Sequence, residues 1–162
     1  MEKASNLKIR EVTENEIPLL RTLILGLAEH ERRPQDVTGT NEEMKYWLFE
    51  RKIATALFAE AGGEVVGYAI YYPTYGSYSA HGKIHLEDLF IKSEYRGKGY
   101  GTAFLSYICK KLLGEGYKAM EWSALDFNVP SIEYYGKLGA ETEKGRTYFD
   151  FSEENMKKLA GL

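Results

Sequence analysis

The sequence predicts a single α/β domain, spanning residues 1–162, in which a mixed, mostly antiparallel sheet is flanked by helices. Two observations favour this class. The periodic segments follow the order strand, two helices, at least three strands, helix, strand, helix, strand. In addition, the apolar runs 55–61 and 64–72 are separated by Gly62-Gly63, a dipeptide typical of tight hairpin turns. The first half of the sheet is therefore expected to be antiparallel.

The N-terminal part is predicted to form one strand and two helices. Residues 7–13, LKIREVT, alternate in polarity as a strand does. Thr13 with Glu16, and Thr40 with Glu43, have the spacing of capping boxes that open helices. The apolar positions expected to face the core are Ile17, Leu20, Ile24, Leu27 and Ala28 in the first helix and Met44, Trp47 and Leu48 in the second.

The rest of the chain alternates between strands and helices. A loop is predicted at 73–82, a long strand at 83–91 and a helix from about 99 to 115. The remaining predicted elements are a strand at 117–125, a helix at 128–139 and a final strand at 146–151. The third helix is expected to bury Phe104, Leu105, Ile108 and Leu112.

Charge and composition disfavour several classes of protein. The net charge of −3 argues against a nucleic-acid-binding protein, which normally needs a basic face. Cys109 is the single cysteine and borders an apolar helix face, so a buried structural thiol is expected. His81 and His85 are the one close histidine pair, and no metal site is expected. Without an apolar run of transmembrane length and with a charged start, the chain is expected to be cytoplasmic.

Three alternating glycines, Gly97, Gly99 and Gly101, precede the third helix. A glycine in a helical turn costs about 1 kcal/mol relative to alanine, so a ligand close to the backbone is one explanation. N–H groups at a helix start favour phosphate, and Arg96 and Lys98 add positive charge. The pattern fits neither a P-loop nor a dinucleotide fingerprint. A plain tight turn remains the alternative.

Residues 96–101, RGKGYG, resemble the (Arg/Gln)-x-x-Gly-x-(Gly/Ala) signature of the GNAT acetyltransferase superfamily, and 128–140, NVPSIEYYGKLGA, resemble its second block. Together with 85–101, HLEDLFIKSEYRGKGYG, they are most similar to the spermidine/spermine acetyltransferase branch. Weaker likeness extends through LAEHE and YYPTYG. The resemblance implies direct transfer of an acetyl group from acetyl-CoA to a primary amine, without a metal, by a homodimer.

The resemblance also assigns residues to the site. Those implied for acetyl-CoA are Leu89, Phe90, Ile91, Arg96, Gly97, Lys98, Gly99, Tyr100, Gly101, Thr102, Asn128 and Ser131. Those implied for the amine substrate are His30, Glu31, Glu87, Asp88 and Glu121.

The reaction needs a neutral amine and an acid for the leaving thiolate. Because an alkyl ammonium has a pKa of about 10, Glu87 is expected to remove the proton, directly or through water. The resemblance gives Tyr135 the role of protonating the thiolate, with Tyr134 as a packing residue. On a regular strand Glu87 and Asp88 face opposite ways, but the bulge that the resemblance implies would bring both acids to the cleft.

Arg32 and Arg33 weaken the likeness to polyamine enzymes, because they would repel an ammonium unless they point away. The substrate could therefore be a diamine or polyamine, an amino acid with a side-chain amine such as thialysine, or an antibiotic or peptide amine. A noncatalytic module that binds CoA is the competing class of function. The presence of both Glu87 and Tyr135 favours an enzyme.

Overall fold

The computed structural model describes residues 6–162, which fall into two compact units, one ending at Ser123 and the other beginning at Ala124. The first unit contains strands β1 (Lys8–Glu11), β2 (Thr55–Ala61), β3 (Glu64–Gly76), β4 (His81–Ile91) and β5 (Met120–Glu121), and helices α1 (Ile17–His30), α2 (Asn41–Lys45) and α3 (Tyr100–Gly114). The second unit contains helices α4 (Val129–Lys137) and α5 (Glu153–Ala160).

The five strands form one sheet in the order β1-β2-β3-β4-β5. Neighbouring strands from β1 to β4 are antiparallel, whereas β5 pairs with β4 in parallel. The predicted class, a mixed and mostly antiparallel sheet with flanking helices, is confirmed. The single parallel pair follows from the connection, because α3 carries the chain back across the sheet before β5 begins.

Each face of the sheet is covered by an apolar core. The α3-side core joins the sheet to the buried face of α3 and includes Leu57, Ala69, Tyr71, Leu86, Phe104 and Ile108. The α1-side core joins the opposite face to α1 and includes Leu20, Leu23, Phe58, Tyr68 and Phe90. The four apolar residues predicted to face inward from the third helix are all buried. Cys109 packs against the α3-side core but is only partly buried, so the expectation of a buried thiol holds in part.

A β-bulge in β4 changes which side chains face each core. Opposite Ile70 and Tyr71, the register passes from Asp88 to Leu86, so Glu87 is the bulged residue. Leu86 therefore packs in the α3-side core, while Asp88 bonds to Tyr68 of the α1-side core. Without the bulge, residues 86 and 88 would share a face. The bulge that the resemblance implied is thus present.

The loop predicted at 73–82 is too long: β3 and β4 continue their pairing to Gly76 and His81, and only residues 77–80 form a turn. The sequence signal against a strand was Pro73, which lacks an N–H donor. In the structure β2 pairs with β3 only as far as Tyr71. At Pro73 the edge of β3 that faces β2 is therefore not paired with β2, and a proline is tolerated at such an edge.

The C-terminal strand predictions are also wrong in part. The strand expected at 117–125 is limited to Met120–Glu121. Residues 146–151 form no strand in the part of the chain that the structure describes, and Tyr148 and Phe149 are 84% and 88% exposed. The aromatic residues of this segment favour a strand, but a strand also needs a neighbouring strand edge for its hydrogen bonds. Helix α5 was not predicted, although Ser152 caps it by accepting from Asn155 N.

The second predicted helix is only partly regular. Thr40 and Glu43 form the expected capping box, but after α2 the residues Tyr46–Glu50 adopt a π-helical turn. The wider turn changes the angular spacing of the following side chains. Met44 and Leu48 pack against the α1-side core as predicted, whereas Trp47 is 46% exposed and does not belong to it.

Candidate active site

Glu87 lies on the sheet face shared with Tyr72 of β3 and His85 of β4. The hydroxyl of Tyr72 donates to Oε2 of Glu87 at 3.2 Å, and Nε2 of His85 lies 3.5 Å from the same oxygen. The rings of Tyr72 and His85 stack with their centroids 5.0 Å apart. The carboxylate of Glu87 is thus held by two neighbours while its side chain stays exposed. It is available to a substrate amine or to water.

Asp88 is more deeply buried than Glu87. The hydroxyl of Tyr68, a side chain with no exposed surface, donates to Oδ2 of Asp88 at 2.9 Å. Burial raises the pKa of Asp88 to about 6, and the nearby charges of Glu87 and Glu31 act in the same direction, while the bond from Tyr68 opposes them. Burial and the Asp88 charge keep the pKa of Tyr68 far above its usual value. Tyr68 is therefore a permanent donor near neutral pH.

The contacts of the other three residues predicted to face the substrate are known. Glu31, directly after α1, lies near enough for its charge to raise the pKa of Asp88. Glu121 of β5 lies 3.8 Å from Nδ1 of His85 through its Oε1. His30, the last residue of α1, contacts the Arg96 guanidinium at 3.5 Å. Glu31 thus lies near Asp88, and Glu121 lies beside His85, whereas the contact of His30 is with Arg96.

The glycine turn lies in the connection between β4 and α3. Gly97 and Gly99 have φ angles of 72° and 80°, which side chains with a Cβ rarely adopt. Gly101 differs, because its φ is not positive and a Cβ there would meet no heavy atom of residues 6–162 within 4 Å. Neither backbone conformation nor packing requires glycine at position 101.

Arg96 is oriented by several contacts at the start of this turn. Its Nε donates to the carbonyl oxygen of Ile91 at 2.8 Å, and its guanidinium lies 5.5 Å from the centre of the Phe90 ring. Nζ of Lys98 lies 4.9 Å from the centre of the Tyr95 ring. Both cations belong to the turn that leads into the N-terminus of α3, where the helix dipole favours an anion.

The β4 edge nearest β5 is open along most of its length. Among the described residues, β5 pairs with β4 only at Ile84 and His85. Leu89, Phe90 and Ile91 pair with β3 on the opposite edge. On its other edge this segment has no strand partner among the described residues, and an unpaired strand edge is the kind of surface to which an extended ligand adds strand-like hydrogen bonds.

The second unit carries the other predicted residues. Asn128 is the N-cap of α4, and its Oδ1 accepts from the backbone N of Ser131 at 3.4 Å. Tyr135 lies one helical turn further on, with its ring centroid 5.3 Å from that of Tyr134. Burial, and to a lesser degree Tyr134, raises the pKa of Tyr135. Tyr135 is therefore protonated near neutral pH, the state that a proton donor needs.

The local structure around Arg32 and Arg33, which follow α1, bears on the repulsion of an ammonium. Arg32 adopts a left-handed conformation with φ of 60° at the end of the helix. Arg33 pairs with Asp36 through its Nε. Because this pair neutralises the charge of Arg33, the repulsion expected from the sequence is reduced at that residue.

Sequence reasoning missed Tyr68, Tyr72 and the role of His85. Tyr68 and Tyr72 stand in an apolar run and are typical of a strand core. Their link to the acids depends on the cross-strand register and on the bulge at Glu87. The only sequence signal was that Tyr68 and Tyr72, four positions apart, fall on the same face of the strand that precedes the acidic pair.

No group of three metal-ligating side chains that could hold an ion occurs within residues 6–162. The same residues include no helix that is both long and apolar enough to cross a membrane.

This chain is similar to known acetyltransferases. The model of the acetyltransferase (GNAT) family matches residues 24–140. The thialysine N-epsilon-acetyltransferase of Bos taurus is 32% identical over 165 residues, which cover 94% of this chain and 96% of that protein. A probable spermine N(1)-acetyltransferase of Bacillus subtilis subsp. natto is 32% identical over 81 residues, 48% of this chain and 53% of that protein.

Among solved structures, an integron cassette protein from the mobile metagenome of V. cholerae superposes with a TM-score of 0.78 and 21% identity. The match covers 96% of this chain and 98% of that one. At this level of identity it supports the fold.

Proposed function

Because this chain belongs to the acetyltransferase (GNAT) family and is an N-acetyltransferase, we propose that it moves an acetyl group from acetyl-CoA directly to the primary amine of a small cationic molecule. In this proposal Glu87 accepts the amine proton and Tyr135 donates a proton to the leaving thiolate. The resemblance read from the motifs of the sequence is confirmed at the level of the family and of the N-acetyltransferase class.

The observation that carries the proposal is the bulge at Glu87. It places the adjacent carboxylates of Glu87 and Asp88 on one face of β4, beside the open edge of Leu89–Ile91. A cationic amine held by these acids lies next to the strand segment along which the family resemblance places acetyl-CoA. Proximity and orientation of the two reactants are a large part of acyl-transfer catalysis.

The residues of the first unit fit the chemistry of acetyl-CoA, which supplies the acetyl thioester. The pyrophosphate is an anion, and it suits the start of α3 with Arg96, Lys98 and the glycine turn. The extended pantetheine arm carries amide groups, and it suits the open edge of β4 at 89–91. Tyr100 and Thr102 in the first turn of α3 belong to the same proposed set. The family resemblance adds Asn128 and Ser131 of α4 to it.

The proton path begins at the substrate ammonium, which has to lose a proton before its nitrogen can attack. Glu87 is exposed and reaches solvent, so it accepts the proton directly or through one water molecule. His85 and Tyr72 hold the carboxylate in place. Tyr135 keeps its phenolic proton near neutral pH because burial raises its pKa, and this proton is the one donated to sulfur.

The substrate class follows from charge. Glu31, Glu87, Asp88 and Glu121 form an acidic face suited to an aliphatic amine with a second positive group. A relative that matches nearly the whole chain is named for thialysine, an amino acid with a side-chain amine, and another for spermine. We therefore propose a diamine, a polyamine or an amino acid with a side-chain amine.

The test is a panel of amines assayed with acetyl-CoA and a free-thiol readout. Thialysine, lysine, 1,4-diaminobutane and spermidine form the main set, with an aminoglycoside and a short peptide amine for comparison. We expect the highest kcat/KM among the small diamines, polyamines and amino acids. Binding of acetyl-CoA without thiol release from any amine would instead support a noncatalytic CoA-binding protein.

We further propose that residues 1–162 act as one acetyltransferase domain, that the protein works in the cytoplasm, and that it is a homodimer. The dimer proposal rests on the family resemblance and on the tyrosine-rich strands. Light scattering at micromolar concentration tests it, and a mass equal to one chain would contradict it.

A further inference from the structure

The hydroxyl of Tyr68 is a polar group in an otherwise apolar environment. Its side chain is 0% exposed, and its ring packs against Phe90 in the α1-side core with centroids 6.0 Å apart. The hydroxyl reaches out of this core to Oδ2 of Asp88. Burying a hydroxyl is unfavourable unless it is hydrogen-bonded, so the orientation of Tyr68 and that of Asp88 are coupled.

We propose that Tyr68 is a positioning residue, which holds the carboxylate of Asp88 as an anion on the substrate face and so sets selectivity for amines that carry a second positive charge. This inference rests on the proposed function, since it concerns the amine site of the same acetyl transfer.

The charges around Asp88 explain why a donor is needed there. Glu87 on β4 and Glu31 after α1 both disfavour the anionic form of Asp88, and burial disfavours it further. Tyr68 on β3 is the group that opposes them. His30, the last residue of α1, contacts Arg96 of the glycine turn. The anion of Asp88 therefore depends on the Tyr68 hydroxyl whenever no cation is bound beside it.

The phenol suits this role better than a charged donor would. Its proton is retained well above neutral pH, so Tyr68 stabilises the carboxylate without neutralising it. The negative charge of Asp88 remains available for the second ammonium of the substrate. A lysine or arginine at this position would form an ion pair with Asp88 and compete with the substrate.

The test uses Tyr68→Phe, which keeps the ring in the core and removes only the hydroxyl. We expect the dissociation constant and the KM of a dicationic amine to rise about tenfold at pH 6.5, since a hydrogen bond to a charged group is worth about that much or more. The value of kcat should change less than about threefold. For a monoamine of equal length, the KM or inhibition constant should stay within about twofold.

The effect should also depend on pH. Loss of the donor raises the pKa of Asp88 above its value of about 6 in the wild type, so less of the anion is present at pH 6.5. At pH 8.5 the carboxylate is ionised in both proteins, and the defect should shrink to about threefold or less. Asp88→Asn should weaken the binding of dicationic amines at both pH values. Adding Tyr68→Phe to this variant should have little further effect on that binding.

Tyr71→Phe is the matched control. It removes a phenol oxygen from the same strand on the opposite face, where Tyr71 contacts Thr55. If Tyr68→Phe weakened the binding of the monoamine and of the dicationic amine equally, or left both affinities unchanged, the inference would be overturned. Calorimetry of amine binding decides this even if the wild type transfers no acetyl group, a result that would count against the proposed function alone.

Discussion

The hydroxyl of Tyr72 donates to the carboxylate of Glu87 across the β3–β4 ladder at 3.2 Å, although Glu87 is the bulged residue of that ladder. A bulged side chain loses its regular cross-strand neighbour. Here the bond from Tyr72, together with the stacked ring of His85, takes the place of that neighbour. The acid is thereby held in one orientation without being buried, as a general base at a solvent-facing site requires.

Replacement of this acid tests its role as a base. Glu87→Gln should lower kcat/KM about a hundredfold or more at pH 7, in the range typical of general base catalysis. The loss should shrink as the pH approaches 10, because more amine is then already neutral. Glu115→Gln, which removes an acid at the end of α3, should retain wild-type rates. A pH-independent defect in initial rates would contradict the assignment of Glu87.

The role of Tyr135 is tested by removing one oxygen. Tyr135→Phe preserves the ring and should leave the acetyl-CoA dissociation constant within about threefold, while kcat falls about a hundredfold to ten-thousandfold. Tyr134→Phe should change kcat by less than about tenfold. The comparison requires saturating substrates and chemistry shown to be rate-limiting. Equal turnover by Tyr135→Phe and the wild type would leave Tyr135 as a packing residue.

Gly101 offers a clean test of the acetyl-CoA site. Unlike Gly99, whose φ of 80° would strain any side chain, Gly101 can accept one without conflict among the described residues. Gly101→Leu should therefore keep or raise the melting temperature, since leucine favours helix, yet weaken acetyl-CoA binding more than about tenfold in calorimetry. Gly114→Leu, at the other end of α3, is the control. Unaltered affinity in a folded Gly101→Leu protein would refute the site.

The raised pKa of Asp88 has a consequence for stability. Its value of about 6 in the fold exceeds the ordinary 3.8, so between these pH values the folded state binds more protons than the unfolded state. Stability due to this group is therefore fully present below pH 3.8 and is lost as the pH rises through about 6. The loss amounts to about 3 kcal/mol at most.

Asp88→Asn removes this titration. The free energy of unfolding of the variant minus that of the wild type should increase between pH 4 and pH 7, by an amount approaching about 3 kcal/mol. Denaturant titrations at several pH values measure the difference. A difference that stays constant over this range would show that Asp88 titrates at its ordinary pKa.

Much of the fold could be predicted because the relevant signals are local. Capping boxes at Thr13 and Thr40, helical periodicity before Glu115 and the Gly62-Gly63 turn each act within a few residues. The errors arose where partners are distant in sequence. Most of the loop expected at 73–82 is paired strand, because β3 continues its ladder with β4 beyond the point where β2 pairs with it.

The sequence by itself determined the class of fold, the family motifs at 96–101 and 128–140 and the types of residue that acyl transfer needs. Only the tertiary structure decided which way those residues face. The bulge at Glu87 is a property of two paired strands, and it places Asp88 against Tyr68 while turning Leu86 to the opposite core. The pKa of Asp88 likewise depends on burial and on Glu31, which lies far away in the chain. Register and burial are relations between segments, and no local pattern encodes them.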